Sequence, residues 1–490
     1  NGARQAMRAA LLDAGLAPHQ IDYVHLHGTG TFDNDAAEAL AVSDLFGKVT
    51  PPYCASLKGA TGHGLAAAGA VGLVTTLLSM AHRFMPANLG CRSPDPNLPI
   101  APLLKKRSAG FSHALINAFG FGGNNGSVVV GHSLENTPTE SAPAASATLK
   151  MNVIANACRT GAGDLQATLE TLELGRTCAG CLADDQMDRS LTPRQLRRLK
   201  RLPRIVSGLA ADILLGASPL PAPDSLIFGT AWGTLTETYD FLTHLFAHDE
   251  RYPSPTDFVG SVHNAPAGQV AMRHHITGAN ITLTGGERSF EQAFQAACLQ
   301  GAHGDRNVLL ISADEYHPDF SALLDAPTSA SFQPADGGAA FYLSPVKADP
   351  ASASIELLYY GQPLREKDLT APRIQFEVER AQAALCQSGK PLKVAAVLHG
   401  GSEHLRVLNE AQLGTFQHQT GIGGPYIDYR LWLGNFPTVS AAAVSIALGF
   451  LQAGRLPEAM CPDGAVAIDN RAILVLSLGQ RITLFDVRKC

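Results

Sequence analysis

Residues 21–33 constrain this chain more than any other stretch. The β-branched and aromatic run Ile21-Asp22-Tyr23-Val24-His25-Leu26 gives way to His27-Gly28-Thr29-Gly30-Thr31-Phe32-Asp33. A short apolar run of this kind reads as a buried strand. Glycines and hydroxyls at its end read as a loop that a ligand can approach closely. A weaker copy, Val397-Leu398-His399-Gly400-Gly401-Ser402, lies far downstream. A strand and loop that recur in this way point to an α/β chain built by duplication.

Around the first copy the pattern alternates. Helices are expected at 3–15, 35–42 and 62–80, and strands at 21–26, 54–56, 107–111 and 127–131. The acids Asp35 and Glu38 stand early in the second helix, where the macrodipole favours negative charge. Two further polar clusters follow the His27 loop. Ser56-Leu57-Lys58-Gly59-Ala60-Thr61-Gly62-His63 enters a small-residue helix, and Asn117-Ala118-Phe119-Gly120-Phe121-Gly122-Gly123-Asn124-Asn125 forms a Phe/Gly turn. The turn could be mistaken for a phosphate cradle, but no GxxxxGK pattern follows it.

Residues 136–150 are a Pro/Ala/Ser/Thr run and read as a linker between a domain at 1–135 and a second at 151–490. More than one core is expected at 490 residues. The second domain opens with a strand at Met151 and carries strands near 225–230, 280–284 and 307–314 before the downstream echo. In that echo Gly434-Asn435-Phe436-Pro437 stands where the first domain has Gly62-His63. The second domain therefore reads as a complete duplicated unit and the first as the latter half of one.

A formal charge of −6 gives no case for nucleic acid or a membrane surface. The long apolar stretches at 64–81 and 438–452 are rich in Gly, Ala, Ser and Thr and read as buried core helices. Nine scattered cysteines form no disulfide framework and favour a reducing cytoplasm. Cys178-Ala179-Gly180-Cys181 lacks a second ligand pair, so no metal site is expected. The basic run Arg194, Arg197, Arg198, Lys200, Arg201, Arg204 is either a solvated helix face or a dock for an acidic protein.

In order and spacing, three motifs make residues 1–135 resemble the carboxy-terminal half of an elongating β-ketoacyl-acyl carrier protein synthase of Cys-His-His type, a thiolase-like layered αβαβα fold. They are His-Gly-Thr-Gly-Thr with Asp35 and Glu38, Lys58 with Gly62-His63, and Phe119-Gly120-Phe121-Gly122-Gly123. The resemblance implies roles. His27 and His63 would hydrogen-bond a malonyl thioester oxygen as it gains enolate charge, and a helix dipole behind His63 would disfavour its protonation. Lys58 would pair with Glu38. Thr29 and Thr31 would contact the 4'-phosphopantetheine arm that a malonyl- or acyl-loaded acyl carrier protein brings, with no cofactor bound to the chain itself. Phe119 and Phe121 would belong to a gating loop. The nucleophilic Cys of the family stands in a Thr-Ala-Cys-Ser type turn. That turn is expected in an amino-terminal half, or a second synthase subunit, outside this chain. Neither Cys54 nor Cys91 has the required setting.

Residues 151–490 resemble the same fold in chain-length-factor-like partners of such synthases, including those of aryl-polyene and type II polyketide pathways. Ile281-Thr282-Leu283-Thr284-Gly285-Gly286-Glu287-Arg288-Ser289 aligns with the nucleophile turn and puts Glu287 at the Cys position. A carboxylate cannot carry the acyl group as a thioester. His399 is retained, and the His63 counterpart falls at Phe436-Pro437. Cys298, in the last turn of the following helix, reads as core. The resemblance implies a cytoplasmic, dimeric acyltransferase of fatty acid or polyketide synthesis. The alternatives are a non-catalytic dimerisation and carrier-docking scaffold that sets chain length, or a malonyl-carrier decarboxylase using Glu287. A degradative thiolase fits poorly, because its site is a different Cys-His-Cys set.

Overall fold

The computed structural model describes residues 2–47, 51–132, 149–188, 192, 199–216, 220–324, 333–346, 353–364, 370–387, 393–462 and 464–489. The chain divides into two compact units, Asn1–Pro143 and Ala144–Cys490.

In the first unit, helix α1 (Gly2–Asp13) buries Met7 and Leu11. Strand β1 (Tyr23–His25) follows, then α2 (Phe32–Phe46), with Asp33 and Asp35 in its first turn. Next come β2 (Tyr53–Ala55), a single turn α3 (Lys58–Thr61), α4 (Ala68–Ala81), β3 (His113–Phe119) and β4 (Asn125–Gly131). The sheet order is β2-β1-β3-β4. β1 runs parallel to β2 and β3, and β4 returns antiparallel on β3. Met7, Leu11, Val24, Val42 and Leu115 form its core.

Three expectations change here. Residues 107–111 make one isolated bridge, Arg107 to Met85, and the strand starts at His113. The helix expected from residue 62 is interrupted, because Gly62 closes α3 with φ of 72°. His63 lies in the break, and α4 starts only at Ala68, after a 3-10 turn at Leu65–Ala67. Nor is the 64–81 stretch a buried core helix. Only Gly72, Thr76, Ser79 and Met80 of α4 are buried, while Val74, Leu77 and Leu78 are exposed.

The second unit holds strands β5 (Lys150–Thr160), β6 (Gly163–Asp164), β7 (Ser225–Gly229), β8 (Asn280–Leu283), β9 (Val308–Asp314) and β10 (Gly337–Ser344). After them come β11 (Ala353–Tyr360), β12 (Val394–Gly400), β13 (Tyr426–Asp428), β14 (Arg455–Leu456), β15 (Val466–Ala467), β16 (Ala472–Ser477) and β17 (Thr483–Lys489). The main path is β13-β12-β16-β17-β11-β5-β10-β9-β7-β8, with β6 paired to β5 and β14-β15 a separate ribbon.

The path is a duplication. Outward from β5, the pairings to β10, β9, β7 and β8 are antiparallel, antiparallel, parallel, parallel. Outward from β11, the pairings to β17, β16, β12 and β13 repeat that sequence. The first unit's β4-β3-β1-β2 reproduces the last three steps of the same series. It therefore matches one half of the duplicated unit without its leading strand. Helix Val439–Ala453, the counterpart of α4, is buried at every residue from Val439 to Leu451 and packs on β5, β10, β16 and β17.

Residues 136–148 of the expected linker lie outside the described residues, and Lys150 already opens β5. Of the basic run, Arg194, Arg197 and Arg198 also lie outside them. The described members are engaged within the second unit. Lys200 pairs with Asp240 at 3.0 Å, Arg201 with buried Asp336, and Arg204 donates to the Asp184 carbonyl.

Candidate active site

The first unit's site forms at the carboxyl end of β1, where the chain turns through His27 and Gly28 into α2. Gly28 has φ of 47°, and a Cβ there would stand 2.6 Å from Ser56 Cβ, so both the turn and the close approach need glycine. The turn is held by Glu38 of α2. Its carboxylate accepts the backbone N–H of His27 and of Gly28, each at 2.8 Å, and Asn117 Nδ2 at 3.0 Å. Burial pushes the Glu38 carboxyl up against the opposing pull of those three hydrogen bonds.

The expected Lys58–Glu38 ion pair is absent from the ion pairs of the described residues. Instead, Lys58 Nζ donates to the His27 carbonyl and approaches His27 Nδ1 at 3.4 Å. The physical reason is competition, since Glu38 is already held by the turn's amides and Asn117. Lys58 loses basicity through burial, and the Glu38 charge opposes that loss. The histidine facing this ammonium is affected in turn. Burial first, then the charges of Lys58 and His63, lowers the His27 pKa to about 4.

His27 and His63 come together, with ring centroids 5.3 Å apart at 77°. His63 Nδ1 accepts the Leu65 N–H at 3.0 Å. An ammonium only donates, so His27 Nδ1 is likewise the acceptor toward Lys58. Both arrangements place the ring proton of the neutral imidazole on Nε2. The basicity of His63 falls through burial and the Lys58 charge. With α4 starting five residues later, these two causes replace the helix dipole expected from sequence.

Phe119 packs beside His27 at 6.0 Å between centroids, whereas Phe121 is half exposed. Thr29 and Thr31 share a hydroxyl hydrogen bond of 2.7 Å. A cavity of about 490 Å³ runs along this side, lined by Thr29, Glu38, Ser56, Lys58 and Cys91 among others. His27, Thr31, His63, Phe119 and Phe121 are not in its lining. Cys54 is buried with its thiol pushed up to about 12, in no state to act as a nucleophile.

Two supporting residues escape a sequence reading of roles. Asn117 bridges Glu38 to Ser127, whose hydroxyl donates to Asn117 Oδ1 at 2.8 Å. Ser56 Oγ donates to the Gly28 carbonyl at 3.1 Å. Asn117 opens the third polar cluster, so a signal was present, but its partner 79 residues away was not.

The second unit carries the corresponding positions. His399 matches His27, because Leu398-His399-Gly400 repeats Leu26-His27-Gly28 at the end of β12, which like β1 lies between two parallel neighbours. The short helix Tyr429–Leu433 ends at Gly434 with φ 88° and ψ 179°, as α3 ends at Gly62 with φ 72° and ψ −179°. Arg430 therefore stands in the place of Lys58, and Asn435 in the place of His63. This moves the His63 counterpart from Phe436-Pro437 to Asn435. Cys298 is buried core, and no group of three His, Cys, Asp or Glu residues suited to a metal occurs among the described residues.

Comparison with known proteins agrees with this architecture. Residues 1–92 match the family description "Beta-ketoacyl synthase, C-terminal domain", and residues 182–356 match "Beta-ketoacyl synthase, N-terminal domain". The chain is 42% identical over 133 residues to the mitochondrial 3-oxoacyl-[acyl-carrier-protein] synthase of Arabidopsis thaliana, covering 26% of this chain and 29% of that protein. It is 35% identical over 133 residues to 3-oxoacyl-[acyl-carrier-protein] synthase 2 of Vibrio cholerae, covering 26% and 32%. The chain thus spans less than a third of the length of these curated relatives. Among solved structures, the PfaC keto synthase-chain length factor superposes with TM-score 0.72 at 16% identity, over 99% of this chain and 59% of that one. A β-ketoacyl synthase from Burkholderia phymatum gives 0.56 at 13% identity, over 70% and 99%.

The fold is thiolase-like α/β, of the ketosynthase kind. Through both of its units the chain belongs to the β-ketoacyl synthase family.

Proposed function

We propose that the first unit supplies the histidine half of a β-ketoacyl-acyl carrier protein synthase site, for decarboxylative Claisen condensation in fatty acid or polyketide synthesis. The observation that carries this reading is the facing pair His27 and His63, each with Nδ1 engaged as an acceptor. That leaves two Nε2–H donors for one thioester oxygen.

On this reading a malonyl group arrives on the 4'-phosphopantetheine arm of its carrier protein, past Thr29 and Thr31. Loss of carbon dioxide leaves the bonding pair on the thioester as an enolate, and His27 and His63 stabilise its oxygen. The enolate carbon then attacks an acyl-cysteine thioester. The carbon–carbon bond forms, the carbon–sulfur bond breaks, and the cysteine leaves as thiolate. That cysteine is expected on an amino-terminal half or synthase subunit. Lys58 keeps His27 neutral and orients it, and Glu38 fixes the turn. Phe119 and Phe121 serve the gate.

The residues at 151–490 act as a chain-length-factor-like partner domain, with residues 1–135 the catalytic half and 136–150 the connection. The reaction belongs in the cytoplasm, and no helix of the described residues is long and apolar enough to cross a membrane.

The test mixes the full chain with a polypeptide bearing the Thr-Ala-Cys-Ser half and with malonyl-carrier protein. Carbon dioxide release that falls at least a hundredfold on His27→Ala supports the reading. Release that is absent with the natural chain, or indifferent to His27→Ala, leaves a docking scaffold as the function.

A further inference from the structure

The second unit keeps the outline of the site but replaces its chemistry with a connected set of polar residues. Glu287 stands at the nucleophile position, Arg430 at the Lys58 position and Asn435 at the His63 position. Arg430 bonds to both of the others. Arg430 is buried and donates to Glu287 Oε1 at 3.1 Å through one terminal nitrogen and to Asn435 Oδ1 through the other. Thus the replacements are mutually matched in charge and hydrogen bonding.

The next residue extends the connection. Arg288 is buried and sends Nε to the Arg481 carbonyl at 3.0 Å and a terminal nitrogen to the Leu478 and Arg481 carbonyls at 2.6 and 2.8 Å. Residues 478–482 join β16 to β17, the place that the Phe/Gly loop occupies between β3 and β4. Gln412 holds the same segment from another side, accepting Gly479 N–H at 2.8 Å and donating to its carbonyl at 2.9 Å. Leu364 N–H donates to the Gln480 carbonyl at 2.6 Å. The counterpart of a gating loop is tied down along its length.

We propose that Glu287, Arg288, Arg430 and Asn435 form a brace, in which Glu287 serves as the counter-ion of Arg430 and takes no part in acyl or malonyl chemistry. The brace joins three segments, namely the turn at 285–289, the helix 429–433 and the loop 478–482, the last being the counterpart of the gating loop. Removing Glu287 takes from the buried Arg430 guanidinium the carboxylate bonded to it and leaves only the charge of Asp428 nearby, which is a destabilising change. The brace thereby fixes this domain as a static wall, a use that excludes decarboxylation at Glu287.

The experiment uses the full chain and three readouts: thermal unfolding, amide hydrogen exchange at 478–482, and carbon dioxide release from malonyl-carrier protein in the presence of the polypeptide bearing the Thr-Ala-Cys-Ser half. Glu287→Gln is expected to lower the unfolding temperature by several degrees and to leave carbon dioxide release unchanged. A Glu287→Gln/Arg430→Met double variant should recover part of that loss. Arg288→Lys, which keeps the charge but loses the fork, should speed exchange at 478–482 at least tenfold and remains informative if Arg288→Ala fails to fold. An unchanged unfolding temperature in Glu287→Gln, or carbon dioxide release that falls with it, overturns the proposal. Both outcomes are independent of His27→Ala, so they separate from the first unit's activity.

Discussion

The ammonium of Lys58 donates to the main-chain carbonyl of His27 and stands 3.4 Å from that residue's Nδ1. One cation thus fixes both the backbone and the ring of the same histidine. It also sets the ring's charge, because a positive neighbour opposes protonation of an imidazole already disfavoured by burial.

Replacing the lysine isolates that effect. In Lys58→Met the His27 pKa should rise from about 4 toward, but not up to, its ordinary value, since burial is the larger cause and remains. Titration of the His27 ring proton by NMR checks this. An unchanged value would show that the lysine charge does not reach the ring.

Acid should weaken the first unit through its buried histidines. His25 and His27 are both lowered from 6.5 to about 4. Between those values the unfolded chain binds protons that the folded one does not, so unfolding free energy falls as pH drops through that window. Urea unfolding followed at pH 7, 5.5 and 4.5 should show the midpoint falling across the series. His25→Phe should flatten the slope.

Glu38 should matter to folding more than its charge suggests. Glu38→Leu strands the His27 and Gly28 amides and Asn117 Nδ2, and unsatisfied buried groups make the expected loss about 2–4 kcal/mol. Denaturant unfolding of the full chain measures it. A loss below about 1 kcal/mol would mean that water replaces the carboxylate.

Cysteine reactivity should follow burial. A short iodoacetamide pulse with peptide mapping should label Cys181 and Cys386, which are exposed, and Cys91 more slowly. Cys54 and Cys298, buried and pushed up to about 12, should stay unlabelled until the chain unfolds. Rapid labelling of Cys54 would contradict the packing of β2.

Much of the site was legible because its parts are local. A strand followed by His27-Gly28-Thr29-Gly30 must turn sharply at its end, whatever surrounds it, whereas the break at Gly62 was not legible, because a single glycine is tolerated within a helical pattern. The duplication was legible too, since the strand–loop echo at 397–402 repeats the residue types that a parallel sheet requires.

What the sequence left open was the partner of each charge and the depth of each helix. Glu38 could equally have met Lys58, and only the approach of β3 and the His27 turn gave its oxygens to backbone amides and Asn117. The apolar stretches at 64–81 and 438–452 read alike, yet Val439–Leu451 is enclosed and much of α4 is not, because burial depends on the layers packed against a helix. Asn435 took the His63 position for a similar reason: the conformation at Gly434 sets the register, and conformation is a property of the folded backbone. Residue types thus determined which chemistry was present, while long-range packing decided which atoms that chemistry could reach.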